Sequence, residues 1–596
     1  MDKKNTVIGV LLIIAAVVSF YFSAKMAPQP APRPAIETAP VANPIAQNQA
    51  PAPGPASSPH DAAFTAPVKT GAPAEFLTLK NDHVAVRFTT AGGAIASIEL
   101  QKHAAVLGLP ERYILNALHA APALAFLDFP GADQDARYEL VSHTATEIVY
   151  RARVGDRMEV TRRYTLAGSA GSDPYQIRHE TTFRNLGGEP VTLPRGIVSL
   201  GTASPINAED YGLYLNVGYY DGEDFEHFER SKLEGGGFLS SFGIGSKTDL
   251  PFIEQSAAVQ WASVKNQFFA SILTPDQPGA GIRIERVKVY PQAPVEDHRA
   301  YGVTGLAYFD FKPLAAHATS TWGATYYAGP KEYNRLANTD HFKKNEDKAM
   351  QFGFFGWFAK LLITIMTWVH NLIGGEAMKW GWGWAIVITT LFLKLVFVPF
   401  TLAASRSSKR MAKLAPMMTE LREKYKDQPQ KAQEAMLRLY KEYKVNPLGG
   451  CIPVLITIPF FIGFFSMLQS ASELRFAAFL WAPDLSAPDT IARILGFPLN
   501  IMPLLMGATM IIQMRLTPTP TTDPAQAMMF KIMPWMFTIF CYNFSCALAL
   551  YSTINGLFTI GQQMVINRMP EPELEKREPA APGGMKNVTP KKKKKG

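Results

Sequence analysis

Trp384-Ala-Ile-Val-Ile-Thr-Thr-Leu-Phe-Leu-Lys394-Leu-Val-Phe-Val-Pro-Phe400 is an oily stretch interrupted by one lysine. With its flanks it is long enough to cross a bilayer as a helix. A lysine at the centre of such a helix costs roughly 2.5–3.5 kcal/mol on insertion scales, so an ionisable residue there marks a functional site by default. At about 1.5 Å of rise per residue, Lys394 lies roughly 15 Å or more from Trp382 on one side and Arg406 on the other, too deep to snorkel easily to a headgroup. The ammonium therefore requires a wet or polar cavity, and the residues that wall it become the candidates for function.

The chain divides around this stretch. Of 596 residues only 18% are charged and 47% are hydrophobic, a balance that indicates a membrane protein with a soluble part. The first two-thirds is polar and strand-like, whereas from Phe352 onward apolar segments alternate with short loops. The net charge of +9 is regional, concentrated in 404–447 and in Lys591–Lys595, which implies anionic lipid or RNA as neighbours of those segments. All three cysteines, Cys451, Cys541 and Cys546, lie in the apolar part, so the soluble region has no disulfide framework and must hold itself by burial.

At the N-terminus, Lys3 and Lys4 precede the apolar run Val7–Phe22, and residues 1–26 read as an uncleaved anchor with its start in the cytoplasm. A cleaved signal peptide is the alternative, with small residues at Ser23–Ala27. Residues 27–74 are a Pro- and Ala-rich linker. From 75 to 335, alternating runs such as Val84-Ala-Val-Arg-Phe88, Met158–Tyr164 and Tyr175–Phe183, punctuated by Gly92-Gly93 and Gly187-Gly188, predict a large antiparallel β-sandwich exported by the anchor.

Residues 352–375 are apolar but carry Lys360, Thr364, Thr367 and Asn371 at helical spacing, which predicts an amphipathic helix lying in the interface. Spans are expected at 382–403, 448–470, 494–514, 530–546 and 548–567 within a core of 382–570, followed by a basic tail, 571–596. Arg406, Lys409 and Arg410 open the basic segment 404–445. There Met411, Leu414, Met418 and Leu421 face Met436 and Leu439 at spacings that predict a helical hairpin. Basic residues are dense in this hairpin and sparse in 471–493, so the positive-inside rule gives six spans with both termini cytoplasmic and the sandwich outside.

Thr390, Lys394 and Thr401 share one helix face; Tyr551, Ser552, Asn555, Thr559 and Gln562 form a second polar stripe, and Gln469 and Gln513 add one residue each from two other spans. Together they line a hydrophilic groove, or, on the plainer reading, the hydroxyls are interhelical glue. No Asp or Glu occurs at matching depth to neutralise Lys394, which favours a groove with water. Met502, Met506, Met510 and Met514 recur every four residues and, with Met528, Met529, Met533 and Met536, offer a soft surface for varied apolar partners; lipid-facing packing is the alternative.

Signals for enzymes fail. Gly243-Ile-Gly-Ser-Lys-Thr248 lacks the glycine spacing of a phosphate loop, and the histidines show no metal-ligand spacing, so neither cofactor nor metal is expected. A secondary transporter using Lys394 would be expected to show inverted repeats, and none is evident. A tethered sugar enzyme has no positive support.

Asn446-Pro-Leu-Gly-Gly-Cys451-Ile-Pro453, Ser472-Glu-Leu-Arg475, Trp481-Ala-Pro-Asp-Leu485, Thr522-Asp-Pro524 and Tyr326-Tyr-Ala-Gly-Pro330-Lys331 together resemble the YidC/Oxa/Alb family of membrane protein insertases over essentially the whole chain. The resemblance implies a multi-pass α-helical membrane protein of the bacterial inner membrane: an anchor, a five-helix insertase core and a periplasmic all-β super-sandwich of mutarotase-like fold. It also implies a groove whose positive residue is Lys394, with Thr390 and Tyr551 or Ser552 contacting the client; Gln469, Gln513, Asn555, Met506 and Met510 join the groove candidates on spacing and residue type alone. The partners implied are nascent membrane proteins, the Sec translocon and its accessory proteins, the ribosome and membrane lipids. Arg406, Lys409, Arg410, Lys591, Lys593 and Lys595 would meet ribosome or lipid. Here the sequence departs from the family, which usually has Arg where this chain has Lys394; Lys keeps the charge and loses the planar fork.

Overall fold

The computed structural model describes residues 74–167, 172–207, 210–234, 249–294, 297–426, 428–443, 445, 452–517, 524–570 and 574. The expected anchor, nearly all of the linker, the tail lysines, the Gly243–Thr248 loop, residues 446–451 of the Asn446–Pro453 motif and Thr522-Asp523 lie outside them. The chain forms two units, one of 28–364 with 466–476, the other of 1–27, 365–465 and 477–596.

In the first unit the alternating sequence does what its period requires where a strand has one inward face, as in Met158–Leu166 and Gln176–Asn185, whereas Asn216–Tyr220, Trp261–Lys265 and Tyr301–Phe309 are buried on both faces. Nine antiparallel strands make the main sheet, in the order Phe225–Glu229, Asn216–Tyr220, Trp261–Lys265, Phe269–Pro275, Thr319–Pro330, Gln176–Asn185, Met158–Leu166, Glu147–Val154 and Glu139–His143. A four-stranded sheet, Phe252–Val259, Gly279–Lys288, Tyr301–Phe309 and Gly196–Ala203, and a second one, Phe76–Lys80 through Arg112–Leu115, complete the sandwich.

Phe126, Phe129, Phe183, Phe309 and Trp322 pack as a ring cluster, with Phe129 stacked on Phe183 at 5.5 Å between centroids. Beside it Arg162 is wholly buried. Its guanidinium donates to the Gly92 carbonyl at 2.7 Å and to the Leu124 carbonyl, and lies over the Phe126 ring. Tyr164 Oη donates to the Gly93 carbonyl at 2.7 Å. Gly92 and Gly93 both have positive φ, and a Cβ on Gly93 would overlap the Tyr138 ring, so the turn that presents these carbonyls requires glycine.

Lys331, closing the sheet's last strand, is buried and donates to the Gln267 carbonyl at 2.8 Å, while burial pulls its ammonium down to about 7. The segment 466–476 belongs to this unit. Arg475 donates to the Ala104 and Ala105 carbonyls at 2.5 and 2.9 Å, and next to it the carboxyl of Glu473 is pushed up to about 8 by burial, with Glu332 adding repulsion. One of its oxygens is buried without a hydrogen-bond partner.

That carboxyl sets an expected pH dependence. Unfolded, it titrates near 4.5; folded, near 8. Between those values the folded chain holds a proton that the unfolded chain has released, so stability present at acid pH is lost as pH rises through the window. The thermal midpoint of the native protein should therefore fall relative to Glu473→Gln from about pH 5 to pH 8; parallel profiles would show that no charge is being buried.

The second unit is helical. α1 (Gly356–Leu372), within which the division at 364/365 falls, exposes Trp357, Leu361, Trp368 and Leu372 and buries Leu362, Ile363, Met366 and Val369. α2 (Gly381–Lys424) is one continuous helix of 44 residues, in which the apolar stretch around Lys394 runs directly into the basic segment. α3 (Pro429–Glu442) turns back, and Met411, Leu414, Met418, Leu439 and Val445 form the seam between them. α4 (Ile452–Ser470), α5 (Ile501–Leu516), α6 (Pro524–Phe540) and α7 (Cys546–Arg568) complete the unit.

α5 packs closely on α6 and α7 because Gly507 faces Thr538 and Gly556 faces Thr509, positions with no room for a Cβ. The expected helix over 494–514 is corrected at its start: residues 490–494 and 497–500 form a β-hairpin, since Gly496 and Pro498 resist a helix and α5 starts only after Asn500.

Candidate functional site

α2, α4 and α7 converge on a cleft lined by Thr390, Leu393, Lys394, Phe397, Thr401, Phe460, Phe464, Tyr551 and Asn555. The 3.6-residue period explains the α2 set: 390, 393, 394, 397 and 401 lie on one stripe. Lys394 Nζ donates to Thr559 Oγ1 at 3.1 Å, and Thr559 Oγ1 in turn donates to the Asn555 carbonyl at 2.7 Å. Among the described residues no carboxylate faces Lys394.

Thr390 Oγ1 is committed to the Ile386 carbonyl at 2.7 Å, leaving its methyl to shape the wall. Thr401 Oγ1 accepts from Gln562 Nε2 at 2.5 Å. The remaining wall is aromatic: Phe464 stacks on Tyr551 with centroids 4.0 Å apart, and Phe397 meets Phe460 edge-on at 4.7 Å. The cleft thus combines one cation, a few hydroxyls and amides, and broad apolar surface. That mixture can hold a polar chain segment in passing without binding it tightly.

The expected site residues separate. Lys394, Thr390, Tyr551 and Asn555 share the cleft. Ser552 does not line it; its hydroxyl is buried without a hydrogen-bond partner. Gln469 belongs to the other unit, where its side chain accepts from Tyr214 Oη at 2.5 Å and its carbonyl from Gln267 at 3.1 Å.

Met502 and Met506 are buried and Met510 half-buried, so the α5 methionine stripe turns inward; Gln513 on the same helix also stands outside the lining. On α6, Met528, Met529, Met533 and Met536 are exposed, beside Trp535, Ile539 and Phe540. Arg406 and Arg410 are exposed, whereas Lys409 Nζ donates at 2.6 Å to the Ile566 carbonyl in the last turn of α7, a favoured place for a cation. Lys591, Lys593 and Lys595 lie outside the described residues. Sequence reasoning passed over Phe397, Phe460 and Phe464, although Phe397 lies three positions past Lys394, within one turn of it.

Comparison with known proteins follows the same division. Residues 77–365 match the family model described as the YidC periplasmic domain, and residues 373–573 match that of the 60Kd inner membrane protein. The membrane protein insertase YidC of Cupriavidus necator is 31% identical over 523 residues, 85% of this chain and 86% of the relative. The crystal structure of an active YidC insertase with its first transmembrane domain resolved aligns over 84% of this chain and 94% of that one, at 16% identity and a TM-score of 0.32. A galactose mutarotase related enzyme from Lactobacillus acidophilus aligns over 43% of this chain and 97% of its own, at 11% identity and a TM-score of 0.29. With a relative this similar spanning both the sandwich and the helical unit, the chain belongs to the YidC family of membrane protein insertases.

Proposed function

We propose that the cleft around Lys394 is the place where this insertase receives the polar part of an incoming membrane protein. The observation that carries the reading is an ammonium in the apolar stretch of α2, held by one hydroxyl and facing no carboxylate among the described residues. Such a group attracts water and polar chain, and so shortens the apolar barrier that a hydrophilic tail must cross. The client's apolar helix passes to lipid along the exposed aromatic and methionine surface of α6. No covalent chemistry is involved. Burial of that helix supplies about 25 cal/mol per Å² of apolar area, and the membrane potential adds about 2.3 kcal/mol per charge per 100 mV.

The same reading sets the topology: both termini and the α2–α3 hairpin cytoplasmic, the sandwich periplasmic, and α1 in the outer interface with its tryptophans at headgroup level. The exposed Arg406 and Arg410, with Lys591, Lys593 and Lys595, meet anionic lipid or ribosomal RNA, and the Sec translocon shares some clients. A photo-crosslinker at Asn555 or Thr390 is expected to capture a nascent membrane protein stalled on a ribosome, while one at the half-buried Met510 captures little. Adducts at Met510 with none at Asn555 and Thr390 would move the path elsewhere.

A further inference from the structure

Between α4 and α5 the chain forms a hairpin, Thr490–Ile494 paired with Phe497–Asn500, whose base is fixed and whose tip is oily. At the base, Asn500 Nδ2 donates to the Tyr542 carbonyl at 2.8 Å, Thr490 Oγ1 donates to Asn500 Oδ1 at 2.7 Å, and Tyr542 Oη donates to the Pro498 carbonyl at 2.7 Å. The buried Asp489 accepts from Trp481 Nε1 at 2.8 Å and from the Met502 backbone N–H at 2.7 Å.

At the tip, Leu495 is 99% exposed, Phe497 78% and Ile494 58%, with Ile491 also open. Leu495 and Gly496 both have positive φ, 51° and 86°, in a two-residue turn between the paired Ile494 and Phe497. Such turns favour Asn, Asp or Gly at the first position because a left-handed backbone disfavours a branched side chain. A leucine there is unfavourable to the turn and, in water, gains nothing by its exposure. Conflicts of this kind between local preference and sequence mark functional positions.

The tip requires an apolar partner, and its surroundings select which. The second strand leads without a loop into α5, an apolar helix whose Leu504 and Leu505 are exposed, so the apolar tip continues an exposed apolar surface. Arg493 is the sole charged residue from Thr490 to Met514, and its sign is the one that anionic headgroups favour. We propose that the 490–500 hairpin is a lipid anchor: its tip, Ile494, Leu495 and Phe497, inserts into the headgroup and upper acyl region of the leaflet beside the start of α5.

The test uses the full-length protein in vesicles of phosphatidylethanolamine and phosphatidylglycerol, with an environment-sensitive nitrobenzoxadiazole label at Leu495→Cys and, for comparison, at the exposed Asp340→Cys of the sandwich. Because Leu495 is fully exposed, its replacement removes no protein contact. Signal from the native cysteines is subtracted with unmutated protein. The label at 495 should emit to the blue of that at 340 and be quenched severalfold more strongly by phospholipid bearing a nitroxide high on its acyl chain. Quenching by aqueous iodide equal to that at 340 would place the tip in water and overturn the proposal. Blue emission that the lipid nitroxide leaves unchanged would show a protein covering the tip, and would overturn it equally.

Discussion

Cells that depend on Lys394→Leu as their sole insertase are expected to stop integrating clients with charged translocated tails. The variant itself should be made, inserted and at least as stable as the parent. The two effects diverge for one reason. Leucine removes a cation whose placement in an apolar helix is costly, and the hydrogen bond it gives up, to Thr559 Oγ1 at 3.1 Å, leaves behind a hydroxyl still bonded to the Asn555 carbonyl. Stability therefore loses little. A client's polar segment loses a charge-assisted partner worth about 1.5–3 kcal/mol, which corresponds to roughly a tenfold to hundredfold slower passage. Lys394→Arg should retain function, because the position needs positive charge and Arg supplies it. Reconstituted vesicles and a protease-protected client fragment read the difference, and normal insertion by Lys394→Leu would remove the charge from the mechanism.

The second large effect is on the sandwich. Arg162→Ala should destabilise it by about 3–5 kcal/mol, a sizeable fraction of the roughly 5–15 kcal/mol that holds a typical domain together. Alanine leaves the carbonyls of Gly92 and Leu124 without a donor, at about 1–3 kcal/mol each, and opens a cavity against Phe126. Arg162 makes no ion pair with a carboxylate among the described residues, so its burial is compensated by these carbonyls and rings, and both are lost together. Denaturant unfolding of the purified protein measures the change. A loss under about 1 kcal/mol would mean that water replaces the guanidinium at no great cost.

The division of labour between the units was legible because it rests on period: alternation of two from Val84 to Phe183, and runs of spanning length after Phe352. Part of the cleft was legible for the same reason. Thr390 and Lys394 share a face by spacing alone, and an isolated lysine in an apolar helix announces its need for polar company. What spacing cannot convey is which neighbour a face meets. The methionines at 502 and 506 are in perfect helical register, yet that register turns them inward, because the glycines at 507 and 556 let α5 approach its neighbours closely. Gln469 looked like a groove residue from its helix, but Tyr214 and Gln267, more than two hundred positions earlier, claim it. The hairpin at 490–500 was hidden inside an apolar run that composition alone cannot divide into strand and helix.

The length of α2 has a mechanical consequence. At about 1.5 Å per residue its 44 residues extend for roughly 65 Å, about twice the thickness of the hydrocarbon layer. It is therefore a lever, with Lys394 near one end and the basic stretch from Arg406 onward forming the arm. A load that tilts the arm is felt at the ammonium through a single rod, and Pro399 and Pro416, each of which removes one backbone hydrogen bond inside the continuous helix, are the places where it bends most easily.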